Sequence, residues 1–279
     1  MNHARARYLH AKESVDERAR SQRVRDRLLD GLPDAPRIVE AGCGTGVTVS
    51  RLLDWGVEDG QYRGVDTDPG IVAHARRVRP SICRRQGRAV HSTAEGWRVD
   101  GLDCRVRVGD ALGRANEAFD DGADVLVAQA FLDLVDLDDA LAACDRALSP
   151  NGLLYAPITF DGVSSFQPDH RADRAVEDAY HAAIDAQPGR DSHAGRHLLD
   201  RLRDDLLAVD SSDWIVRPRQ GTYPADERYF LETILDFVAD ALADAAVPEA
   251  DDWLATRREQ LAAGKLTYVA HQYDLLARR

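Results

Sequence analysis

Glu40-Ala41-Gly42-Cys43-Gly44-Thr45-Gly46 is the stretch on which the fold reading turns. It follows a short apolar β-run at 37–41 and opens a helical pattern at 47–55. In that setting, closely spaced glycines permit a tight turn and let a ligand approach the backbone. Working outward, apolar β-runs recur at 62–66, 104–108 and 123–128, and a fifth at 153–160 follows the turn residues Ser149-Pro150-Asn151-Gly152. The 123–128 run is continuously apolar, as in a strand buried on both faces. Helical patterns begin near Pro69 and span 137–148. Strands alternating with helices mean right-handed crossovers and a parallel sheet.

On either side of this core the rhythm changes. Residues 3–30 read as one or two arginine-rich amphipathic helices, with Tyr8, Leu9, Val15, Val24, Leu28 and Leu29 as the apolar stripe. Residues 162–204 look helical and polar; 206–216 and 266–276 are strand candidates, and 225–246 and 249–263 are helix candidates. The expected architecture is a doubly wound α/β fold with a mostly parallel seven-stranded sheet and a helical insertion after strand five. No linker divides the chain, so the parse is one domain over 1–279: a helical cap at 1–35, a ligand-binding core at 36–160, an insertion or lid at 161–204, and C-terminal strands and helices at 205–279.

The glycine spacing differs from the G-x-G-x-x-G of dinucleotide enzymes, whose third glycine would fall at Val47. An acid before the loop and a third glycine one position early resemble motif I of the class I S-adenosylmethionine-dependent methyltransferases. Asp66 ends the second strand about twenty residues on, where an acid can accept both hydroxyls of a ribose. The resemblance runs from Arg37 to about Phe160, with further strand-end features in the family's order. It implies S-adenosyl-L-methionine as cofactor, a carboxylate near the adenine amino group in Gly109-Asp110-Ala111, and Gln129-Ala130-Phe131-Leu132-Asp133 bordering the sulfonium and the acceptor. Ser149-Pro150-Asn151-Gly152 matches the turn before the family's fifth strand, with Asn151 in place of a glycine. The segment from Trp253 to His271 looks like the last helix and antiparallel last strand of small-molecule members. The cofactor residues expected are therefore Glu40, Gly42, Cys43, Gly44, Gly46, Asp66, Thr67, Asp110, Ala111, Gln129 and Phe131. Tyr8, Lys12, Arg18 and Arg20 are candidate lid residues, one base of which could meet the cofactor's carboxylate. The competing readings are a dinucleotide-dependent oxidoreductase and a cofactor-binding subunit without catalysis.

Methyl transfer needs little beyond alignment and exclusion of water, although a general base can assist a protic acceptor. His170, His181, His193 and His271 are the candidates, and His181 leads because Tyr180 and Asp185 flank it on a helical stretch. His193 and His197 stand at i, i+4, but Gly195 and the missing glutamate of H-E-x-x-H argue for a helix start instead of a metal site. The acids Asp133, Asp136, Asp138 and Asp139 suit a helix N-terminus and its dipole, so no metal is expected.

Composition bounds the partners. The chain has 279 residues, 30% of them charged, and a net charge of −12. Such acidity disfavours nucleic acid, which is bound by neutralising phosphates. The fourth strand also lacks the N-P-P-Y type signature used on exocyclic amines. No run approaches the ~18 apolar residues of a membrane span, and Met1 to Arg7 do not read as a secretory signal. The four cysteines, Cys43, Cys83, Cys104 and Cys144, are scattered, as reduced thiols of a cytoplasmic protein would be. Lys12 and Lys265 are the sole lysines; an arginine- and aspartate-rich surface fits either a high-salt cytoplasm or GC-rich coding. The expected partner is a small-molecule methyl acceptor, with no membrane, and a homodimer remains open.

Overall fold

The computed structural model describes residues 5–114, 118–243 and 245–279. Its helices are α1 (Ala6–Ala19), α2 (Gln22–Leu29), α3 (Val47–Asp54), α4 (Pro69–Arg85), α5 (Ala111–Arg114), α6 (Leu137–Ala147), α7 (Asp173–Asp185), α8 (Ala194–Arg201), α9 (Glu227–Leu242) and α10 (Ala250–Ala262). The strands are β1 (Arg37–Ala41), β2 (Asp59–Asp66), β3 (Val90–Ser92), β4 (Trp97–Val99), β5 (Gly101–Val108), β6 (Ala123–Val127), β7 (Leu148–Gln167), β8 (Leu206–Ser211), β9 (Trp214–Val216) and β10 (Thr267–Arg278). The first two positions of the expected helix from residue 3, and residue 244 of the expected 225–246 helix, lie outside the described residues.

All the strands join one sheet in the order β3-β4-β5-β2-β1-β6-β7-β10-β8, with β9 also on β10. β5, β2, β1, β6 and β7 run parallel, and β10 lies antiparallel between β7 and β8. The chain therefore winds outward from β1 to β2 and β5, then returns to lay β6 on the other side of β1. That reversal opens a crevice beyond the carboxyl ends of β1 and β6, where open α/β sheets bind ligands.

Alternation along each strand explains the double winding. Ile38, Val125 and Leu153 face one cluster with Val24, Leu28, Val49, Leu52 and Val72 of α2, α3 and α4. Their successors Val39, Leu126 and Leu154 face the opposite cluster with Leu141 of α6 and Leu198 of α8. Successive side chains point to opposite faces, so each central strand must be apolar on both.

Three expectations need correction. Among the described residues the sheet has ten strands where seven were expected: β3 and β4 add a hairpin at the β5 edge, and the 206–216 candidate breaks into β8 and β9. The break falls at Ser212-Asp213, where Ser212 N–H donates to the Gln272 carbonyl and Asp213 accepts from His271. The fifth parallel strand continues to Gln167, so the first residues of the expected helical insertion are strand. Its pairing with β10 slips at two places, around Ile158 (φ +59°) and Gly162 (φ +71°). Such bulges turn a strand while keeping it paired. The Ser149–Gly152 turn is likewise an irregularity within β7, with Asn151 at φ +65°.

Beyond the bulges, β7 and β10 form a platform that carries α1, α7, α9 and α10. Phe166, Tyr268 and Ala270 of the platform pack with Tyr8, Val176, Phe230 and Trp253 of those helices. Among the described residues, no helix is long and apolar enough to cross a membrane.

Asp274 ties the bulge to the cap. Its buried carboxylate accepts from the N–H of Ile158 and of Ser21, each at 2.8 Å. Removing it leaves two buried donors without partners, each costing about 1–3 kcal/mol. Asp274→Ala is expected to destabilise the chain by about 3 kcal/mol, and Asp274→Asn, which keeps one acceptor, by clearly less. Urea denaturation of the three proteins checks the order.

Candidate functional site

Gly42, Gly44 and Gly46 all take left-handed backbone, with φ of +67°, +52° and +69°. A side chain at any of them would be strained. Gly42 is also closed sterically, because a Cβ there would stand 2.6 Å from Cδ2 of Phe131. The loop so formed is fastened to β2. Cys43 N–H donates to the Val65 carbonyl at 3.0 Å, and Gly44 N–H to Asp66 Oδ2 at 2.9 Å. The other Asp66 oxygen accepts from Asp68 N–H at 3.0 Å. Glu40 is buried beneath the loop, accepting from the Thr48 hydroxyl at 2.7 Å and from the Tyr62 hydroxyl. Burial pushes its carboxyl up to about 7.

Over this loop lies a cavity of about 480 Å³, within the 300–1,000 Å³ typical of small-molecule sites. Of the expected cofactor residues, Glu40, Gly42, Cys43, Gly44, Asp66, Thr67, Asp110, Ala111, Gln129 and Phe131 border it. Gly46 sits just behind, as the N-terminal cap of α3. Asp110 is exposed and caps α5, accepting from Leu112 N–H at 3.1 Å. Ala130 reaches φ +46° beside the cavity, a left-handed conformation uncommon outside glycine and found at strained functional loops.

The roof is α1. Leu9, Lys12, Glu13 and Asp16 border the cavity, and Glu13 pairs with Arg79 at 3.1 Å. Arg79 holds both the carbonyl and the hydroxyl of Thr45 in the glycine loop. Asp16 accepts from Lys12 Nζ at 2.9 Å, Gln129 Nε2 at 3.1 Å and Trp214 Nε1 at 3.0 Å. Gln129 Oε1 in turn accepts from Arg20 and Arg51, each at 2.8 Å. Of the candidate lid residues, Lys12 faces the cavity and Arg20 supports its floor. Arg18 pairs with Glu227 outside it, and Tyr8 is buried against Phe230 and Phe237. Asp16, Arg51 and Arg79 were not anticipated; charged residues in helices read as solvated faces until the partner helix is known.

A family described as a methyltransferase domain matches residues 39–156. The matched stretch runs from β1 into β7, the parallel part of the sheet that carries the glycine loop. A solved structure has a similar fold: a protein assigned as a type II methyltransferase from Anaeromyxobacter dehalogenans shares 17% identity, over 90% of this chain and 95% of that one, with a TM-score of 0.50. Also similar are S-adenosylmethionine-dependent methyltransferases from Thiobacillus denitrificans and Geobacter sulfurreducens, both solved with S-adenosylhomocysteine. Each is 15% identical, with 98% of both chains covered and a TM-score of 0.49. No curated protein matches the sequence.

Among the described residues, none of the four candidate histidines borders the cavity over the glycine loop. His181 is buried on α7 and borders a separate acidic groove with Ser164, Glu177 and His193; burial lowers its pKa. His181 thus stands apart from the glycine-loop cavity, because the β7 extension holds α7 over the platform. His170 and His271 pair with Asp252 and Asp213. His193 is the residue before α8, and His197 hydrogen-bonds Asp191 at 2.6 Å. In the acidic run, Asp136 caps α6 through Asp138 and Asp139 N–H, and Asp138 pairs with Arg201.

Asp133 behaves differently. It follows Phe131 on the loop after β6, and its Oδ1 is buried with no hydrogen-bond partner among the described residues. Burial pushes this carboxyl up to about 6. An aspartate whose folded pKa exceeds the unfolded value of about 3.9 holds its proton more tightly when folded. Native stability then falls as pH rises from about 4 through 6. Asp133→Asn is expected to be more stable than the parent above pH 7, by on the order of 2 kcal/mol. The gap should close by about pH 4, as thermal denaturation across that range would show.

Proposed function

We propose that the chain is an S-adenosylmethionine-dependent methyltransferase acting on a small molecule. The observation that carries this is one cavity at the carboxyl ends of β1, β2, β5 and β6, bordered by the glycine loop, Asp66, Asp110 and Phe131. The residues fit the cofactor: left-handed glycines leave backbone open where a Cβ would intrude, and an acid stands at each of two successive strand ends. Bound there, S-adenosylmethionine supplies a methyl group on a positively charged sulfur. Asp66 would take the ribose hydroxyls and Asp110 the adenine amino group. The face of Phe131 would lie toward the cationic sulfur, an attraction worth about 0.5–2 kcal/mol. Helix α1 and the loop between α7 and α8, which border the cavity through Leu9, Lys12 and Arg190, would help to exclude water once the ligands are bound.

The catalytic unit in this reading is the whole of 1–279, a cap, core, insertion and C-terminal part, with the insertion beginning after β7 ends at Gln167. The parts interlock: β10, near the chain end, lies between β7 and β8, and Arg190 of the insertion borders the same cavity as Leu9 of the cap. Four free, buried cysteines suit a reducing cytoplasm.

Calorimetry is expected to show binding of S-adenosylmethionine and S-adenosylhomocysteine, and none of NAD. Asp66→Ala should weaken S-adenosylhomocysteine at least tenfold, since hydrogen bonds to an ionised acceptor contribute about 1.5–3 kcal/mol each. Tight NAD binding with no response to the sulfonium compound would overturn the reading; unchanged affinity in Asp66→Ala would remove that residue from the site.

A further inference from the structure

Most charged side chains around the cavity are committed to partners within the protein. Glu13 pairs with Arg79, Lys12 with Asp16, and Asp66 with two backbone N–H groups. Arg190 is the exception. It borders the cavity, yet among the described residues its guanidinium has no ion pair, hydrogen bond or aromatic partner. In a chain of net charge −12, an arginine left unpaired at a cavity wall asks for an anion.

The backbone holds Arg190 in place. The next residue, Asp191, donates its N–H to the Asp133 carbonyl at 3.2 Å, and Arg190 N–H donates to Gln187 at 3.1 Å. Gly189 turns at φ +75°, so close to Asp136 that a Cβ would stand 3.0 Å from its nitrogen. The insertion therefore delivers one cation to the loop after β6, beside the apolar side chains of Leu134 and Val135. Among the described residues neither neighbouring acid forms an ion pair with it: Asp191 is taken by His197 and the His193 N–H, and Asp133 feels the guanidinium's charge without an ion pair to it.

Resting on the methyltransferase reading above, we propose that Arg190 receives an anionic group of the methyl acceptor. The acceptor class is then a small molecule with an apolar body against Leu134 and Val135 and a carboxylate or phosphate at the guanidinium. Arginine suits both anions, because its planar fork matches their paired oxygens.

The test titrates benzoate, phenyl phosphate and the neutral benzamide by calorimetry, with and without S-adenosylhomocysteine. One of the anions is expected to bind about tenfold or more tightly than benzamide, and the better of the two tells carboxylate from phosphate. Arg190→Gln should abolish that preference while leaving S-adenosylhomocysteine affinity within about twofold. Anions no tighter than benzamide, or a preference that survives in Arg190→Gln, would overturn the proposal. So would a loss of S-adenosylhomocysteine affinity in Arg190→Gln with 5′-methylthioadenosine unaffected, since Arg190 would then hold the cofactor's own carboxylate. A protein that ignores S-adenosylhomocysteine but keeps an Arg190-dependent anion preference would sink the methyltransferase reading and retain the anion site.

Discussion

The carboxylate of Asp16 is the point at which cap, core and C-terminal platform meet. It is 3% exposed, and removing such a charge from water costs several kcal/mol unless its oxygens are well partnered. Lys12 of its own helix, Gln129 after β6 and Trp214 of β9 supply three donors. Gln129 carries the connection onward to Arg20 and to Arg51 of α3, the helix opened by the glycine loop. Removing Lys12 would leave the buried charge uncompensated, and removing Gln129 or Trp214 would take away one of its neutral donors. The network thus sets where α1 lies, and α1 is the roof of the cavity. Polar side chains here specify an arrangement that apolar packing alone would leave free to slide.

That roof also needs a support, which the extension of β7 provides. A doubly wound core buries both faces of its central strands with α2, α3, α4, α6 and α8, leaving no face for α1, α7, α9 and α10. By running past the bulges to Gln167 and pairing with the first half of β10, β7 creates one. Asp274 links this device to the cap, since the same carboxylate satisfies Ile158 in the bulge and Ser21 between α1 and α2. An isoleucine at φ +59° is strained. It is tolerated where its N–H has a partner and its side chain is 1% exposed within the platform core.

The glycine loop, the acids at the ends of β2 and β5 and the succession of parallel strands along the chain were legible in the sequence because local rules govern them. Left-handed turns select glycine, and two-sided burial selects unbroken apolar runs. The cap helices were legible by the same token: Tyr8, Val15, Val24 and Leu28, four of the six stripe residues, are buried. What escaped depends on distant partners. Residues 161–167 are polar enough to read as insertion, and they become strand only because β10 lies alongside. Val90–Ser92 and Trp97–Val99 are too short for a period-two signal to register. His181 drew attention through its sequence neighbours, whereas Arg190 had none to commend it. Its significance comes from a loop whose position is set by contacts to Asp133 and Asp136.

Asp66 shows why the site is formed before any ligand arrives. A carboxylate offers about four acceptor positions, and two are used here by Gly44 and Asp68 N–H. The acid that would receive ligand hydroxyls therefore also fixes the loop on which the rest of the ligand would rest. Two acceptor positions remain, as many as the hydroxyls of a ribose require. Because the loop is already held, binding need not supply the conformational entropy of ordering it, a term of about 1–2 kcal/mol per residue. The same coupling separates the roles of the two strand-end acids. Asp110 caps a four-residue helix on an exposed rim and can adjust to what it meets, whereas Asp66 cannot move without undoing the loop.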